Sequence, residues 1–302
     1  MQKNFLLTIC FFTLGYFSLS AQITINEYSA ANLNSFQDDY EKTEDWIELH
    51  NSSSTAVDLS GWYLSDKDDN PQKWTIPAGT VIEPNGYLVF WCSGRDQVAN
   101  DNYHTNFKLA QTKDNEFVSL AQPSGDVVDL YQLVFTLVEH SHCRQTDGSS
   151  SWKICTQPTP GESNDGSPQY NGYTTAPSMN LEAGFYNGNQ IVEITNNEPN
   201  SVLRYTLNGT NVTESAPEYT GPIAILNTEV LKARSFSIDP NILPGKMDFN
   251  TYFIDEEFSL AVFSVAADDV IDLANGDGDL IPIGSIEYFN TDKQREATSF
   301  GS

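Results

Sequence analysis

Residues Asp45 to Asp66 read DWIELHNSSSTAVDLSGWYLSD, three apolar pulses separated by turn chemistry. In Trp46-Ile47-Glu48-Leu49, Ile47 and Leu49 fall on one face of an extended chain and Trp46 and Glu48 on the other. This period of two marks a strand with one face in a core, and it sets Trp46 on the outer face of a sandwich. Asn51-Ser52-Ser53-Ser54-Thr55 is a loop, because each short polar side chain can bond its own backbone in competition with a sheet ladder. Val57-Asp58-Leu59 resumes the alternation, Ser60-Gly61 bends the chain, and Trp62-Tyr63-Leu64 runs into Ser65-Asp66. Short strands joined by short polar loops predict an all-β sandwich.

Working outward, Trp74-Thr75-Ile76, Tyr87 to Trp91, Glu116 to Leu120 and Val127 to Tyr131 are further strands, and Pro84-Asn85-Gly86 and Pro123 to Asp126 are turns. The apolar run Leu133 to Val138 reads as a buried strand or an extra edge strand. Several pieces occur in a fixed order. They are Ile25-Asn26-Glu27-Tyr28, Asp45 to Leu49 with Asn51, Val57 to Asp66, Ile76-Pro77 to Val89, Asp147-Gly148-Ser149, Trp152 and Pro158-Thr159-Pro160-Gly161. This series resembles the lamin tail domain. The resemblance implies an immunoglobulin-like sandwich over residues 22–164, used in bacteria as a non-catalytic module of secreted, multi-domain proteins.

Gly, Ser, Asn, Asp and Pro dominate the stretch that follows, so residues 165–176 read as a linker. A second set of strands occupies 177–256: Gln190 to Ile194, Val202 to Leu207, Ile223 to Ile225 and Val230 to Phe236. Asn208-Gly209 after the second of these predicts a two-residue hairpin turn. Arg204 to Thr210, Tyr219 with Pro222-Ile223, and Val230 to Phe236 resemble the chitobiase/β-hexosaminidase C-terminal domain, a sandwich that accompanies glycosidases without supplying their catalytic carboxylates. Residues 257–302 open new strands at Phe258 to Val265 and Gly284 to Phe289, with the acidic turn Asn275-Gly276-Asp277-Gly278-Asp279 read as a hairpin tip. This order resembles the start of a spore-coat protein H-type (CotH-like) kinase-like domain. Its nucleotide-binding residues cannot be placed here. The expected architecture is all-β, two tandem immunoglobulin-like β-sandwiches plus a truncated C-terminal segment.

Residues 1–21, with Lys3 before the apolar run Phe5 to Phe17 and Leu19-Ser20-Ala21 at the cleavage side, read as a secretory signal peptide. Ser20-Ala21-Gln22 also resembles the signal endings of Bacteroidetes proteins. The expectation is a secreted or cell-surface protein with no membrane insertion after signal removal. Lys and Arg number 15 against 41 Asp and Glu, a formal net charge of −26. That balance opposes binding to nucleic acid, which rewards cations that displace counterions. After loss of Cys10, three cysteines remain. Cys143 and Cys155 flank the turn Thr146 to Ser150, and a hairpin centred near Ser149 would set them opposite each other, so a disulfide is expected, with Cys92 free and buried.

The segment Glu27 to Asp45 gathers acids opposed within it only by Lys42, and Asp66, Asp68 and Asp69 form a second acidic loop. If both loops lie at one end of the sandwich, Asp38, Asp39, Asp66, Asp68 and Asp69 are the candidate ligands for Ca²⁺, which takes six to eight oxygens. The competing reading is two solvated loops, since no EF-hand spacing is present. His140 and His142 would share one strand face, but without a third ligand they read as surface histidines beside a turn. His104 has no nucleophile at a readable spacing, and no catalytic residue is assigned. All five tryptophans lie between Trp46 and Trp152. Exposed in a row they would form a sugar-stacking platform; otherwise they fill the core. Asp45, Trp62, Tyr205 and Gly209 are read as structural. The functional expectation is a non-catalytic module that binds, spaces or adheres, with an unidentified protein or glycan partner and no cofactor. The alternatives are the front portion of a kinase-like enzyme and a carbohydrate-binding module.

Overall fold

The computed structural model describes residues 22–99, 101–113, 115–276 and 283–301. The signal-peptide reading and Asp277-Gly278-Asp279 of the acidic turn lie outside them.

The opening stretch forms the strands Trp46–Asn51, Val57–Asp58 and Tyr63–Ser65. Trp46–Asn51 sits inside an eight-stranded sheet, between Ile23–Ser29 and Tyr87–Trp91. Ile47 pairs across to Phe90 and Leu49 to Leu88, so both enter the core as the alternation requires. A four-stranded sheet, ordered Val127–Gln132, Phe117–Ala121, Tyr63–Ser65, Trp74–Thr75, closes over them. Ile25, Leu64, Val118 and Leu120 complete the interior. The strand Ile23–Ser29 changes phase midway. Ile23, Ile25 and Tyr28 all join the core, because a bulge between Ile25 and Glu27 adds one residue. Glu27 then stands opposite Glu48 on the outer face.

That outer face is not solvated. Trp46 and Glu48 are both 0% exposed, and the ring of Phe36, from the segment before the strand, meets Trp46 edge-on at 6.4 Å. Trp46 lies on the outer face as expected, but that face is covered, with Phe36 of the 30–45 segment over the indole. None of the five tryptophans is exposed. Trp46, Trp74 and Trp91 are buried, and Trp62 and Trp152 pack on the core, so a tryptophan platform is not formed. Leu133 to Val138 is not a strand. Its backbone is held instead by side chains: Gln111 Oε1 accepts from Thr136 N at 2.8 Å while Gln111 Nε2 donates to Thr136 O at 3.0 Å.

The second sandwich has a four-stranded sheet ordered Gly184–Tyr186, Asp248–Ile254, Glu229–Ser237, Ser201–Thr206. It faces the pairs Gln190–Val192 with Ile223–Ile225 and Ser178–Met179 with Ile194–Thr195. Val192, Leu203, Ile225, Leu231 and Tyr252 fill its interior. Asn208-Gly209 does not close a two-residue hairpin. The type I′ turn that Asn-Gly favours needs positive φ at both residues, and only Gly209 has it, at +76°. Asn208 Oδ1 instead accepts from Thr210 N and Oγ1, and the next strand, Ile223–Ile225, joins the other sheet.

The segment read as a linker by composition is threaded into both sandwiches. Gln169–Tyr170 adds an edge strand beside Trp152–Cys155 of the first. Gly172–Tyr173 then pairs in parallel with Ile242–Leu243 of the second. Tyr173 reaches back: its ring stacks on His140, and its hydroxyl accepts from Leu137 N at 3.1 Å.

Val262–Ala267, Gly284–Phe289 and Arg295–Gly301 form a three-stranded antiparallel sheet. Its polarity is partly inverted. Ser285 and Glu287 point inward and are buried, Glu287 accepting from Thr251 Oγ1, whereas Phe263, Val265 and Ile286 point outward and are exposed. Phe289 packs edge-on to Phe185 and Phe253, joining this sheet to the second sandwich. Among the described residues no helix is long and apolar enough to cross a membrane.

Candidate functional site

Asp38 organises the acidic segment. Its Oδ1 accepts from Tyr40 N and Lys42 N, both at 2.9 Å, which closes a tight turn with Glu41 at φ +58°. Its Oδ2 accepts from Arg95 Nη1 at 2.5 Å, and Arg95 Nη2 also meets Glu44 at 3.1 Å. Beside them His104, 0% exposed, donates from Nε2 to Asp39 Oδ1 at 2.8 Å. Arg95 N donates to Ser93 Oγ at 3.2 Å, which leaves the Ser93 hydroxyl to donate to His104 Nδ1 at 3.0 Å. The acids are therefore opposed by Arg95 and Lys108 from elsewhere in the chain, not by Lys42 alone, and Asp39 is met by the His104 N–H.

Two chemistries use groups arranged in this way. The order Asp39, His104, Ser93 has the connectivity of a hydrolytic relay, which sequence spacing did not reveal because the three residues come from separate segments. A nucleophile must meet its substrate, however, and Ser93 is only 5% exposed. Asp38, Asp39 and His104 also bring ligand atoms within 4.8 Å of one another. The donor set does not fit Ca²⁺. Three converging ligands are half the usual number, one is an imidazole, and the Arg95 guanidinium already supplies the positive charge. Asp66, Asp68 and Asp69 do not join them. Asp66 pairs with Lys73 Nζ at 2.6 Å, and Asp68 and Asp69 are exposed. The two acidic loops are not brought into one cation site among the described residues.

A second polar cluster, unforeseen as a unit, lies under the 157–164 segment. Asn26 Nδ2 donates to Glu48 Oε1 and to Asp147 Oδ1, both at 3.0 Å. Glu27 accepts from Ser141 Oγ, from Thr159 N at 3.1 Å and from Thr159 Oγ1 at 2.9 Å. Glu48 Oε2 accepts from Gly161 N at 2.6 Å. Asn164 Nδ2 donates to Asn26 O and Arg144 O. Burial pushes Glu27 up to about 7 and Glu48 well above the usual carboxylate range, although hydrogen bonds from Ser141, Thr159 and Asn26 oppose it. Asp147 moves the other way. Burial raises it, but donors from Ser163, Tyr87, Asn26 and Asn164 together hold it below its ordinary value. Asp45 is likewise pushed up to about 7 by burial. Two facing carboxyls are what glycoside cleavage uses, but Glu27 and Glu48 are 0% exposed and meet donors from their own chain. Their role here is to clamp the last segment of the sandwich onto its sheet. The sequence signal was present, since Asn26, Glu27, Glu48, Asp147, Thr159 and Gly161 all belong to the pieces that carried the first resemblance.

Cys143 and Cys155 are joined, with Cα atoms 6.0 Å apart. They are not directly opposite. Cys143 faces Lys153 and Cys155 faces Ser141, so the bond runs diagonally across a hairpin centred on Gly148. Cys92 is free and buried, and burial raises its thiol. His140 and His142 serve different partners. His142 bonds the Tyr28 hydroxyl at 2.9 Å and stacks on Trp152, while His140 bonds the Tyr173 hydroxyl at 2.7 Å. Both are part-buried rather than surface residues, and burial lowers both to about 4.

Comparison with protein families agrees with this architecture. Residues 18–134 match the Lamin Tail Domain, and residues 181–241 match the Chitobiase/beta-hexosaminidase C-terminal domain. Sandwich domains of these types occur in carbohydrate-active proteins. Comparison with curated proteins found no match.

Proposed function

We propose that this chain, a lamin tail domain followed by a chitobiase/β-hexosaminidase C-terminal domain, is a non-catalytic modular protein that acts outside the cell. Its two sandwiches would hold and space the unit formed by its C-terminal strands, at the cell surface or in a released protein. The observation that carries this reading is the 165–176 connection. A spacer needs fixed geometry, and here the connection adds an edge strand to the first sandwich and pairs with Ile242–Leu243 of the second domain, with Tyr173 locked against His140 and Leu137. The apolar run at Phe5 to Phe17 and the Cys143–Cys155 disulfide support an extracellular setting. The test is to express residues 1–302 with export, sequence the N-terminus of the mature protein, and assay it for ATP turnover and glycoside hydrolysis. A start at Gln22 and no turnover are expected. Turnover abolished by Ser93→Ala or Glu48→Gln would contradict the reading.

A second reading is favoured by the partly inverted C-terminal sheet. Phe263, Val265 and Ile286 leave an apolar face bare on one side, and such faces mark interaction surfaces. In this reading the chain is the front portion of a larger, CotH-like enzyme whose next layer covers that face. A longer product from the same reading frame should bind a hydrophobic dye less than residues 1–302. Equal or greater dye binding would count against it.

A further inference from the structure

The two sandwiches and the C-terminal sheet meet around a cleft of about 680 Å³, within the range that binds small organic molecules. Its charge runs against that of the chain. Overall, acids outnumber bases 41 to 15. Arg234, Lys246 and Arg295 line the cleft, and among the described residues Asp248 is the one carboxylate in its wall. Asp248 is partly committed, with Oδ2 accepting from Met179 N at 3.1 Å. His140, also in the wall, is held neutral near pH 7 by burial.

The cations differ in their commitments. Arg295 is neutralised by Glu287 at 3.0 Å and Glu182 at 2.7 Å. Arg234 spends Nε and Nη2 on the carbonyls of Gly245 and Pro244, both at 2.8 Å. Those bonds fix its plane without cancelling its charge. Lys246 places Nζ 3.8 Å from the centre of the Phe135 ring. Among the described residues neither Arg234 nor Lys246 has a carboxylate within 4.0 Å. In a chain this acidic, two uncompensated cations in one cleft favour an anion there. The other lining groups suit a ring-bearing ligand. Phe249 and Phe300 form a tilted aromatic pair, with ring centroids 6.0 Å apart and planes at 38°, and Thr298 and Ser299 contribute hydroxyls.

We propose that this cleft binds a carboxylate-bearing saccharide, a short uronate oligomer, with its carboxylate on Arg234 and Lys246 and its ring faces against Phe249 and Phe300. It goes beyond the spacing role and stands or falls without it.

The test is calorimetric titration of the full chain with tri-galacturonate, its methyl ester, and inorganic sulfate. Tri-galacturonate should bind. The ester, lacking the charge, should bind at least tenfold more weakly, and sulfate should not displace the sugar. Lys246→Glu should weaken binding at least tenfold, and Ser299→Trp, at an exposed position filling the cleft, should abolish it. Both variants should keep the wild-type thermal midpoint, because neither side chain is buried. No binding of tri-galacturonate at millimolar concentration would overturn the proposal. So would binding unchanged in both variants, equal binding of the ester, or full competition by sulfate.

Discussion

Arg95 is the residue on which the acidic segment depends. It is the nearest cation to Asp38, whose side chain is 0% exposed, and an uncompensated buried charge is expensive. Arg95→Gln should therefore cost about 2–4 kcal/mol in urea denaturation. The double variant with Asp38→Asn should recover much of that loss, and millimolar Ca²⁺ should leave the wild-type midpoint unmoved. A Ca²⁺-dependent rise would mean that the acids hold an ion after all. Glu27 makes the complementary point about pH. Its folded value, about 7, lies above its ordinary 4.5. Between those values the folded state binds more protons than the unfolded chain, so stability falls as pH rises from about 4.5 to 7. Glu27→Gln should thus gain on the wild type across that window, by up to about 3 kcal/mol. His140 and His142 act with the opposite sign. Their folded values near 4 lie below the ordinary 6.5, so their contribution is present above 6.5 and lost as pH falls through 4. The wild-type profile should be flatter below pH 6.5 than either group alone would make it. A Glu27→Gln difference that does not change with pH would refute the shift.

At the scale of elements, phase was legible and cover was not. Ile47 and Leu49 announce their face by alternation, and they enter the core as expected. The burial of Trp46 and Glu48 depends on segments 30–45 and 157–164, which no local period encodes. Asn208-Gly209 misled for a related reason. Turn chemistry states that the chain can bend, but which strand it meets next is set by the packing of two sheets. Gly209 is nonetheless demanding. Its φ is +76°, and a Cβ there would lie 2.8 Å from Ala266 Cβ, in the strand Val262–Ala267. Gly209→Ala should cost about 1–3 kcal/mol and raise amide exchange selectively in Val262–Ala267. Uniform exchange across the chain would argue that Gly209 does not seat the C-terminal sheet. The cysteine hairpin was legible in kind but not in register, because a shift of one residue in the turn centre converts an opposed pair into a diagonal one. Reducing the Cys143–Cys155 bond should cost about 3 kcal/mol.

At the scale of the whole molecule, the connection between sandwiches decides the behaviour. Its Gly, Ser, Asn and Pro content reads as a linker, yet a short strand can be made of almost any residues when both its neighbours are fixed. The arrangement of Asp38, Asp39, His104 and Arg95 was illegible for the same reason, since its parts are joined only by tertiary packing. With Tyr173 in place, calorimetry should show one cooperative transition. Tyr173→Ala should separate it into two, because it removes both the His140 stack and the Leu137 bond.

The most direct test of a fixed spacer is a distance measured across the connection. Spin labels at Glu83→Cys in the first sandwich and Glu214→Cys in the second, both exposed positions, should give one narrow distance distribution in frozen solution. That distribution should broaden in Tyr173→Ala. A broad or multimodal distribution in the otherwise wild-type chain would contradict the account.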